Sequence, residues 1–152
     1  MDLIIAKTQT TISGPRDPGN AIVVNKQGLQ GAAGVASFQF IAGVNLSGQR
    51  LIRVDATTGK AIYADNLTLA DAGNVIGVST GAAALNATVT VLAFGEMSES
   101  YWTWTPGAAL YVGANGVITE TPPESPALFS QCIGFAIAAT AIFINIEIPI
   151  IL

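Results

Sequence analysis

Apolar residues along this chain form short runs that are separated by glycine, proline and small polar residues. The clearest example is residues 105–123, where a predicted strand at 110–112 is followed by a reversal at 113–116 and a returning strand at 117–119. The reversal contains an Asn-Gly pair, which is a strong hairpin signal between β-forming residues. Residues 122–123 are both proline, and because proline has no N–H for a neighbouring strand, we expect the pairing to stop there.

A similar pattern occurs earlier in the chain, at residues 48–66, with a Thr-Thr-Gly turn between two short apolar runs. After each hairpin comes a strand that contains a glycine, Gly77 in the first case and Gly134 in the second, and then a longer apolar strand. We interpret this recurrence as a diverged internal duplication, because repeats at a fixed spacing indicate repeated structural units. The alternative is that an all-β chain of this composition produces such matches without duplication.

These patterns predict an all-β fold, a small β-barrel or sandwich made from two similar modules at about residues 45–95 and 101–152. The barrel domain as a whole is predicted to span residues 37–152 and to open with a half-buried strand at 37–43, where polar and aromatic residues alternate. The closing segment alternates most regularly, which predicts one strand with one fully buried face. The residues on that face are Ile142, Ile144, Ile146, Ile148 and Ile150.

Residues 1–36 are predicted to form an extended N-terminal arm, because they contain too few apolar side chains for a core of their own. Three glycines at a spacing of three, the last at Gly34, are typical of a flexible loop or of short collagen-like triplets. We expect the arm to become ordered as added β-structure on a neighbouring subunit. Its candidate interaction residues are the two aliphatic runs Leu3, Ile4, Ile5 and Ile22, Val23, Val24.

Two other segments carry candidate site residues. Trp102 and Trp104 lie two positions apart, so in a strand they share one face, as a core plug, an interface anchor or a platform for a sugar. The loop at residues 64–73 is expected to hold one helical turn. Its oxygen donors, Asp65, Asn66 and Asp71, are of the type that binds calcium, but their spacing matches no calcium loop, so we expect a solvated turn.

The composition points to contacts with other subunits. The chain is 51% hydrophobic and 11% charged, against roughly 25% charged in an ordinary soluble domain. A chain of ~150 residues buries only about 70% of its unfolded surface, so apolar surface remains exposed, and we expect a homo-oligomer. No apolar stretch is long and uninterrupted enough for a membrane helix, and no cationic region precedes the first apolar run, so we expect neither a membrane partner nor a signal peptide.

Charge and residue usage argue against several function classes. The net charge is −4 and every basic residue lies in the first 60 positions, so no basic stripe predicts nucleic-acid binding. The chain has no histidine and no phosphate-binding loop, so we expect no enzyme, no cofactor and no metal site. The formal carboxylate pairs, Glu96 with Glu99 and Glu120 with Glu124, are expected to face water. The single cysteine, Cys132, cannot form an intrachain disulfide and is expected to be buried.

The order of five segments resembles that of small β-rich structural proteins of tailed bacteriophages, which include capsid decoration (cement) proteins and head-fibre modules. The resemblance covers about residues 45–152, and the segments are VDATTGKAIYAD, VIGVS, VTVLAFGE, WTWTPGAALYVGANGVITETPP and CIGFAIAATAIFINI. It implies a compact β-barrel, usually trimeric, with no catalytic site and with an N-terminal arm that often carries the attachment.

The expected function is therefore that of a virion structural protein. It would decorate the capsid exterior, bridge subunits of the major capsid protein and assemble in the bacterial host cytoplasm. The alternative is a tail-fibre or tail-tip module that binds the host surface, where Trp102 and Trp104 would stack on sugar.

Overall fold

The computed structural model describes residues 11–12, 22–23 and 36–152. The chain divides into two units, residues 1–34 and 35–152, and each is described by itself. In the first unit, β1 (Thr11–Ile12) pairs antiparallel with β2 (Ile22–Val23). The remainder of the predicted arm, with the candidate interaction residues Leu3, Ile4, Ile5 and Val24, lies outside the described residues.

The second unit consists of β-strands and two short 3-10 turns, so the predicted all-β fold is confirmed. Its main sheet is antiparallel and strongly curled into a half-barrel. The 3-10 turns are Leu69–Asp71, which is the helical turn expected in that loop, and Ala114–Gly116. The strands are β3 (Ala36–Ile41), β4 (Leu51–Val54), β5 (Ala61–Tyr63), β6 (Val75–Ser79), β7 (Thr88–Ser98), β8 (Ala109–Val112), β9 (Ile118–Thr119), β10 (Phe129–Ser130), β11 (Cys132–Ala138), β12 (Ala141–Asn145) and β13 (Ile150–Ile151).

The main sheet has two halves, and corresponding strands of the two halves follow one another in the same order from either edge of the sheet to its middle. It is β5-β4-β6-β7-β12-β11-β8-β9, with β3 also paired to β7. Both predicted hairpins are present, β4 with β5 and β8 with β9. Each hairpin is followed by a strand that pairs with its first member, β6 or β11, and then by a further strand. These two further strands, β7 and β12, pair with each other in the middle of the sheet.

The two halves of the sheet also share an irregularity. In β6 the residue that bulges out of register is Ile76, directly before Gly77. In β11 it is Ile133, directly before Gly134. The flanking pairs correspond one to one: Ile52↔Gly77 and Arg53↔Val75 in the first half, Leu110↔Gly134 and Tyr111↔Cys132 in the second. A common strand order and a common bulge are what the predicted duplication requires of the fold.

Both strand glycines occupy backbone conformations that L-residues rarely adopt, with φ of 155° at Gly77 and 139° at Gly134. A Cβ at Gly77 would collide with the carbonyl oxygen of Leu92, and a Cβ at Gly134 with the carbonyl oxygen of Phe143. In each half, therefore, a glycine allows the neighbouring strand, β7 or β12, to approach closely.

The buried side chains form two clusters, which lie on opposite faces of β4, and the larger cluster also contains residues from the second half of the sheet. Leu51 belongs to the larger cluster and Ile52 to the smaller one, and both are fully buried. Because successive side chains of a strand point to opposite faces, β4 lies between two packed layers. The larger cluster, here called the main core, also contains Val78, Leu92, Met97, Leu110, Val112, Phe129, Ile133, Ile142 and Ile144, among others.

The prediction of one long closing strand is wrong beyond Asn145. Ile142 and Ile144 are fully buried, as predicted, but Ile146 is only partly buried, Ile148 is 87% exposed and Ile150 is 67% exposed. The chain leaves β12 after Asn145, and the next strand, β13, pairs with β10 in a separate two-stranded sheet. The alternation of isoleucines continues past the point where there is a sheet to cover them.

The strand predicted at residues 37–43 is present as β3, but its aromatic side chains differ in burial. Phe40 packs against the smaller cluster, whereas Phe38 is 56% exposed. Cys132, expected to be buried, is half-buried, with its Sγ 3.4 Å from the carbonyl oxygen of Gly134.

The prediction of a solvated turn at residues 64–73 is also wrong, because Asn66 and Asp71 are buried. Asp71 Oδ1 lies 2.7 Å from Arg53 Nε on β4, and Asp71 Oδ2 accepts the backbone N–H of Asp65 at 2.9 Å. The Arg53 N–H is not aligned for a hydrogen bond with Asp71 Oδ1, so their attraction is chiefly coulombic. This ion pair holds the loop against the sheet.

Replacing Asp71 with alanine is expected to lower the free energy of unfolding by about 2–3 kcal/mol, because it leaves Arg53 without its partner. We expect a smaller loss than the ~3–5 kcal/mol that follows when one partner of a fully buried ion pair is removed, because the Arg53 side chain is 21% exposed and can be hydrated. Urea unfolding measures the change. The matched control is Glu124→Ala, which removes an exposed carboxylate and is expected to leave the midpoint unchanged; equal midpoints for both variants would show that the ion pair contributes nothing.

Candidate binding site

The candidate site is built on the connection between β7 and β8, which contains Trp102 and Trp104, the two tryptophans predicted to be site residues. The connection is irregular, so the two tryptophans do not lie in a strand, which was the condition for their sharing one strand face. The Trp104 backbone N–H donates to the Ala139 carbonyl oxygen at 2.8 Å, and the Trp102 N–H donates to that of Glu99 at 3.2 Å. The two indole rings are nevertheless in contact, with centroids 5.7 Å apart and planes at 62°. Both are partly buried and pack against the main core.

The tryptophans line an open pocket of about 190 Å³ between the two halves of the sheet. Its other lining residues are Gln49 and Arg50, which precede β4, and Val117 and Ile118, which follow the β8–β9 turn. The halves meet here because the Gly116 N–H donates to the Ala64 carbonyl oxygen at 2.6 Å. The buried Asn66 side chain reinforces this closure by donating to the Val112 carbonyl oxygen at 2.9 Å.

The Gln49 side chain is fixed by hydrogen bonds at both ends of its amide. Its Oε1 accepts from the Tyr101 hydroxyl at 2.8 Å, and its Nε2 donates to Glu99 Oε1 at 2.8 Å. The Tyr101 ring in turn lies edge-on to Trp102, with centroids 6.4 Å apart. Gln49 has a φ of 59°, which is uncommon for a residue other than glycine, and its side-chain bonds help to hold it there.

Arg50 provides a positive charge beside the indole rings. Its Nη1 donates to the Asn115 carbonyl oxygen at 3.3 Å, which directs the guanidinium towards the β8–β9 turn. The buried Nε1 of Trp104 has no acceptor among the described residues. The pocket therefore combines aromatic faces, a cation and hydrogen-bonding groups, which suits non-covalent binding of a small polar ring.

Two exposed apolar surfaces lie outside this pocket. The first, the aromatic ridge, consists of Phe94 on β7, Phe143 on β12 and Phe135 on β11. The Phe94 and Phe143 rings meet edge to face at 5.2 Å, and those of Phe143 and Phe135 stack at 5.8 Å. The second, the C-terminal apolar segment, consists of the exposed residues Ile148, Ile150, Ile151 and Leu152. Neighbouring exposed apolar side chains of this kind mark surfaces that contact other molecules.

The carboxylates considered earlier act as hydrogen-bond acceptors. Glu99 accepts from Gln49, and Glu120 accepts from both the backbone N–H and the hydroxyl of Thr105. Both are half-buried rather than solvent-facing, whereas Glu96 and Glu124 are exposed. Within residues 11–12, 22–23 and 36–152, no group of three or more His, Cys, Asp or Glu residues is arranged to hold a metal ion.

Of the eight predicted interaction residues, the structure brings together Trp102 and Trp104. Ile22 and Val23 form β2, and the others lie outside the described residues. Gln49 and Arg50 were not among the predicted residues, because they are more than fifty positions from the tryptophans and a short-range pattern carries no signal for such a contact. In the part of the chain that the structure describes, no helix is long and apolar enough to cross a membrane. No protein-family model matches the chain, and no curated protein matches it.

Proposed function

We propose that this chain is a non-enzymatic structural protein of a phage virion that decorates the capsid exterior. In this role it bridges neighbouring subunits of the major capsid protein and stabilises the shell. It assembles with itself as a homotrimer, in the bacterial host cytoplasm. The segment order of residues 45–152, which resembles that of phage decoration proteins, supports the identification with a virion.

The observation that carries the proposal is the amount of apolar surface that the folded β-domain leaves exposed. The aromatic ridge places phenylalanines of three neighbouring strands side by side, and the C-terminal apolar segment adds isoleucines that are more than half exposed. Such surface is costly in water and becomes favourable when a partner covers it. A domain with two such surfaces suits a protein that works by contacting more than one subunit at once.

The proposal is tested with phage heads that lack the protein. Purified full-length chain is mixed with these heads, and the mixture is sedimented. We expect the chain to sediment with the heads in saturable amounts, and the heads to resist heating better once they are covered. Heads that remain bare at saturating chain concentrations would refute the capsid role.

A chain reduced to residues 35–152 tests the proposed role of the arm. It retains all strands of the second unit, so its circular dichroism is expected to match that of a β-domain. If the arm provides the attachment, the shortened chain stays in the supernatant while the full-length chain sediments. Equal sedimentation of the two would assign the attachment to the β-domain, with the aromatic ridge as the first surface to substitute.

The second candidate function is a tail-fibre or tail-tip module that contacts the host surface. The observation that favours it is the pocket beside Trp102 and Trp104, since aromatic rings next to polar side chains suit contact with a saccharide. The two functions differ in copy number: a shell is covered by many copies, whereas a fibre or tip contains few. A stained gel of purified virions, which compares this band with that of the major capsid protein, separates them.

A further inference from the structure

We propose that the pocket formed by Trp102, Trp104, Gln49 and Arg50 binds one pyranose ring of an acidic glycan. The ring stacks on an indole face, and its carboxylate accepts hydrogen bonds from the Arg50 guanidinium. This inference goes beyond capsid decoration and does not depend on it, because the pocket lies outside the surfaces proposed to contact the capsid.

The size of the pocket fits one sugar ring. Its volume is about 190 Å³, below the roughly 300 Å³ at which sites for drug-sized molecules begin. Because the pocket is open, the ring can belong to a longer saccharide whose other rings remain in solvent. A larger group, such as a nucleotide or a peptide segment, would leave most of its surface uncovered.

The walls of the pocket have the chemistry that a pyranose needs. The face of an indole ring is electron-rich, and one face of a pyranose presents weakly positive C–H groups, so the two attract each other when stacked. The planes of Trp102 and Trp104 stand at 62°, so they form two walls of a cleft instead of one flat platform. Val117, which is 41% exposed, and Ile118 add an apolar surface.

The pocket is held in shape before any ligand arrives. Gln49 is bonded through both ends of its amide, to Tyr101 and to Glu99. Its left-handed backbone conformation is of the kind that persists only where the surroundings fix it, and such residues often occur at binding sites. A ligand that enters a fixed site loses less of its binding energy to ordering side chains.

The charge of the pocket selects for an acidic sugar. A guanidinium carries five N–H donors in a planar arrangement that matches the two oxygens of a carboxylate. Of the guanidinium nitrogens of Arg50, only Nη1 donates a hydrogen bond to a described residue, the Asn115 carbonyl oxygen. The chain as a whole has a net charge of −4, so attraction of an anion depends on a local cation such as Arg50.

Intrinsic fluorescence tests the proposal directly, because the chain contains only 2 tryptophans and both line the pocket. The full-length protein is titrated with trigalacturonate, an acidic probe, and with maltotriose, a neutral one. We expect a saturable change in emission with trigalacturonate, with a Kd on the order of a millimolar, and weaker binding of maltotriose. No saturable change with either saccharide up to tens of millimolar would overturn the proposal.

Two charge-matched variants identify the residue responsible. Arg50→Gln is expected to weaken trigalacturonate binding by about tenfold, because it removes charge-assisted hydrogen bonds. Lys60→Gln removes a positive charge whose Nζ is bonded to Asn86 instead, and it is expected to bind as the unmodified chain does. Equal affinities of the two variants would contradict the role of Arg50. Failure of sugar binding leaves the sedimentation of the chain with phage heads unaffected, so the two proposals fail separately.

Discussion

Gly134→Ala is expected to lower the free energy of unfolding by roughly 3–5 kcal/mol. The added Cβ collides with the carbonyl oxygen of Phe143 on β12, which is backbone and cannot rotate away. Relief requires β11 and β12 to separate or the residue to leave its φ of 139°, and either change disturbs the centre of the sheet. Gly77→Ala is expected to have a similar effect, since its Cβ meets the carbonyl oxygen of Leu92 in the same way.

The matched control for both variants is Gly81→Ala, because a Cβ at Gly81 has no atom within 4 Å. Its free energy of unfolding, measured with urea, is expected to stay within a few tenths of a kcal/mol of that of the unmodified chain or to rise slightly. If Gly134→Ala and Gly81→Ala unfolded at the same urea concentration, the close approach of β11 and β12 would be contradicted. A large loss at Gly134 with none at Gly77 would contradict the correspondence between the two halves.

Ile144→Asp is expected to destabilise the domain by about 4 kcal/mol or more, because it removes a fully buried side chain and places a charge in the main core. Since small domains are stable by only about 5–15 kcal/mol, this change removes much of the margin. Thermal unfolding followed by circular dichroism measures the loss as a lower melting temperature or as a chain that fails to fold.

The adjacent position provides the control. Asn145 is exposed at the end of β12, opposite Phe94, so Asn145→Asp adds the same charge on the solvent side. Its melting temperature is expected to stay within a few degrees of the unmodified chain. Similar melting temperatures for the two variants would mean that the assignment of faces on β12 is incorrect.

Local patterns were sufficient to predict much of the fold. The Asn-Gly and Thr-Thr-Gly turns determine their hairpins through backbone geometry alone, which involves only neighbouring residues. The strand glycines Gly77 and Gly134 were informative because they recur at the same place in both halves, where a Cβ would meet a carbonyl oxygen of the adjacent strand. The prediction of one long closing strand at the C-terminus failed for a different reason. Alternation records which side chains share a face, but it does not record whether a sheet lies beneath them, as Ile148 shows.

The burial of Asp71 and the composition of the pocket could not be predicted, because both depend on contacts between distant segments. A carboxylate in a polar loop is normally hydrated, and only its meeting with Arg53 on β4 makes burial tolerable. Likewise, Gln49 and Arg50 reach the tryptophans only after the sheet has curled far enough to bring β4 towards the β8–β9 turn. The sequence identified the aromatic half of the candidate site and missed its polar half.

The mirrored strand order has a consequence for how the domain folds. Within the main sheet, the ladder from Ala141 opposite Ser98 to Asn145 opposite Phe94 is the one that joins the first half to the second. The β3–β7 ladder closes a loop at least as long, whereas the other ladders of the main sheet each pair segments that are closer in the chain, and short loops form at a smaller entropic cost than long ones. We therefore expect residues 51–98 and 109–145 to gain structure as separate nuclei. The β7–β12 and β3–β7 ladders then form last, and the β7–β12 ladder is the step that joins the two halves.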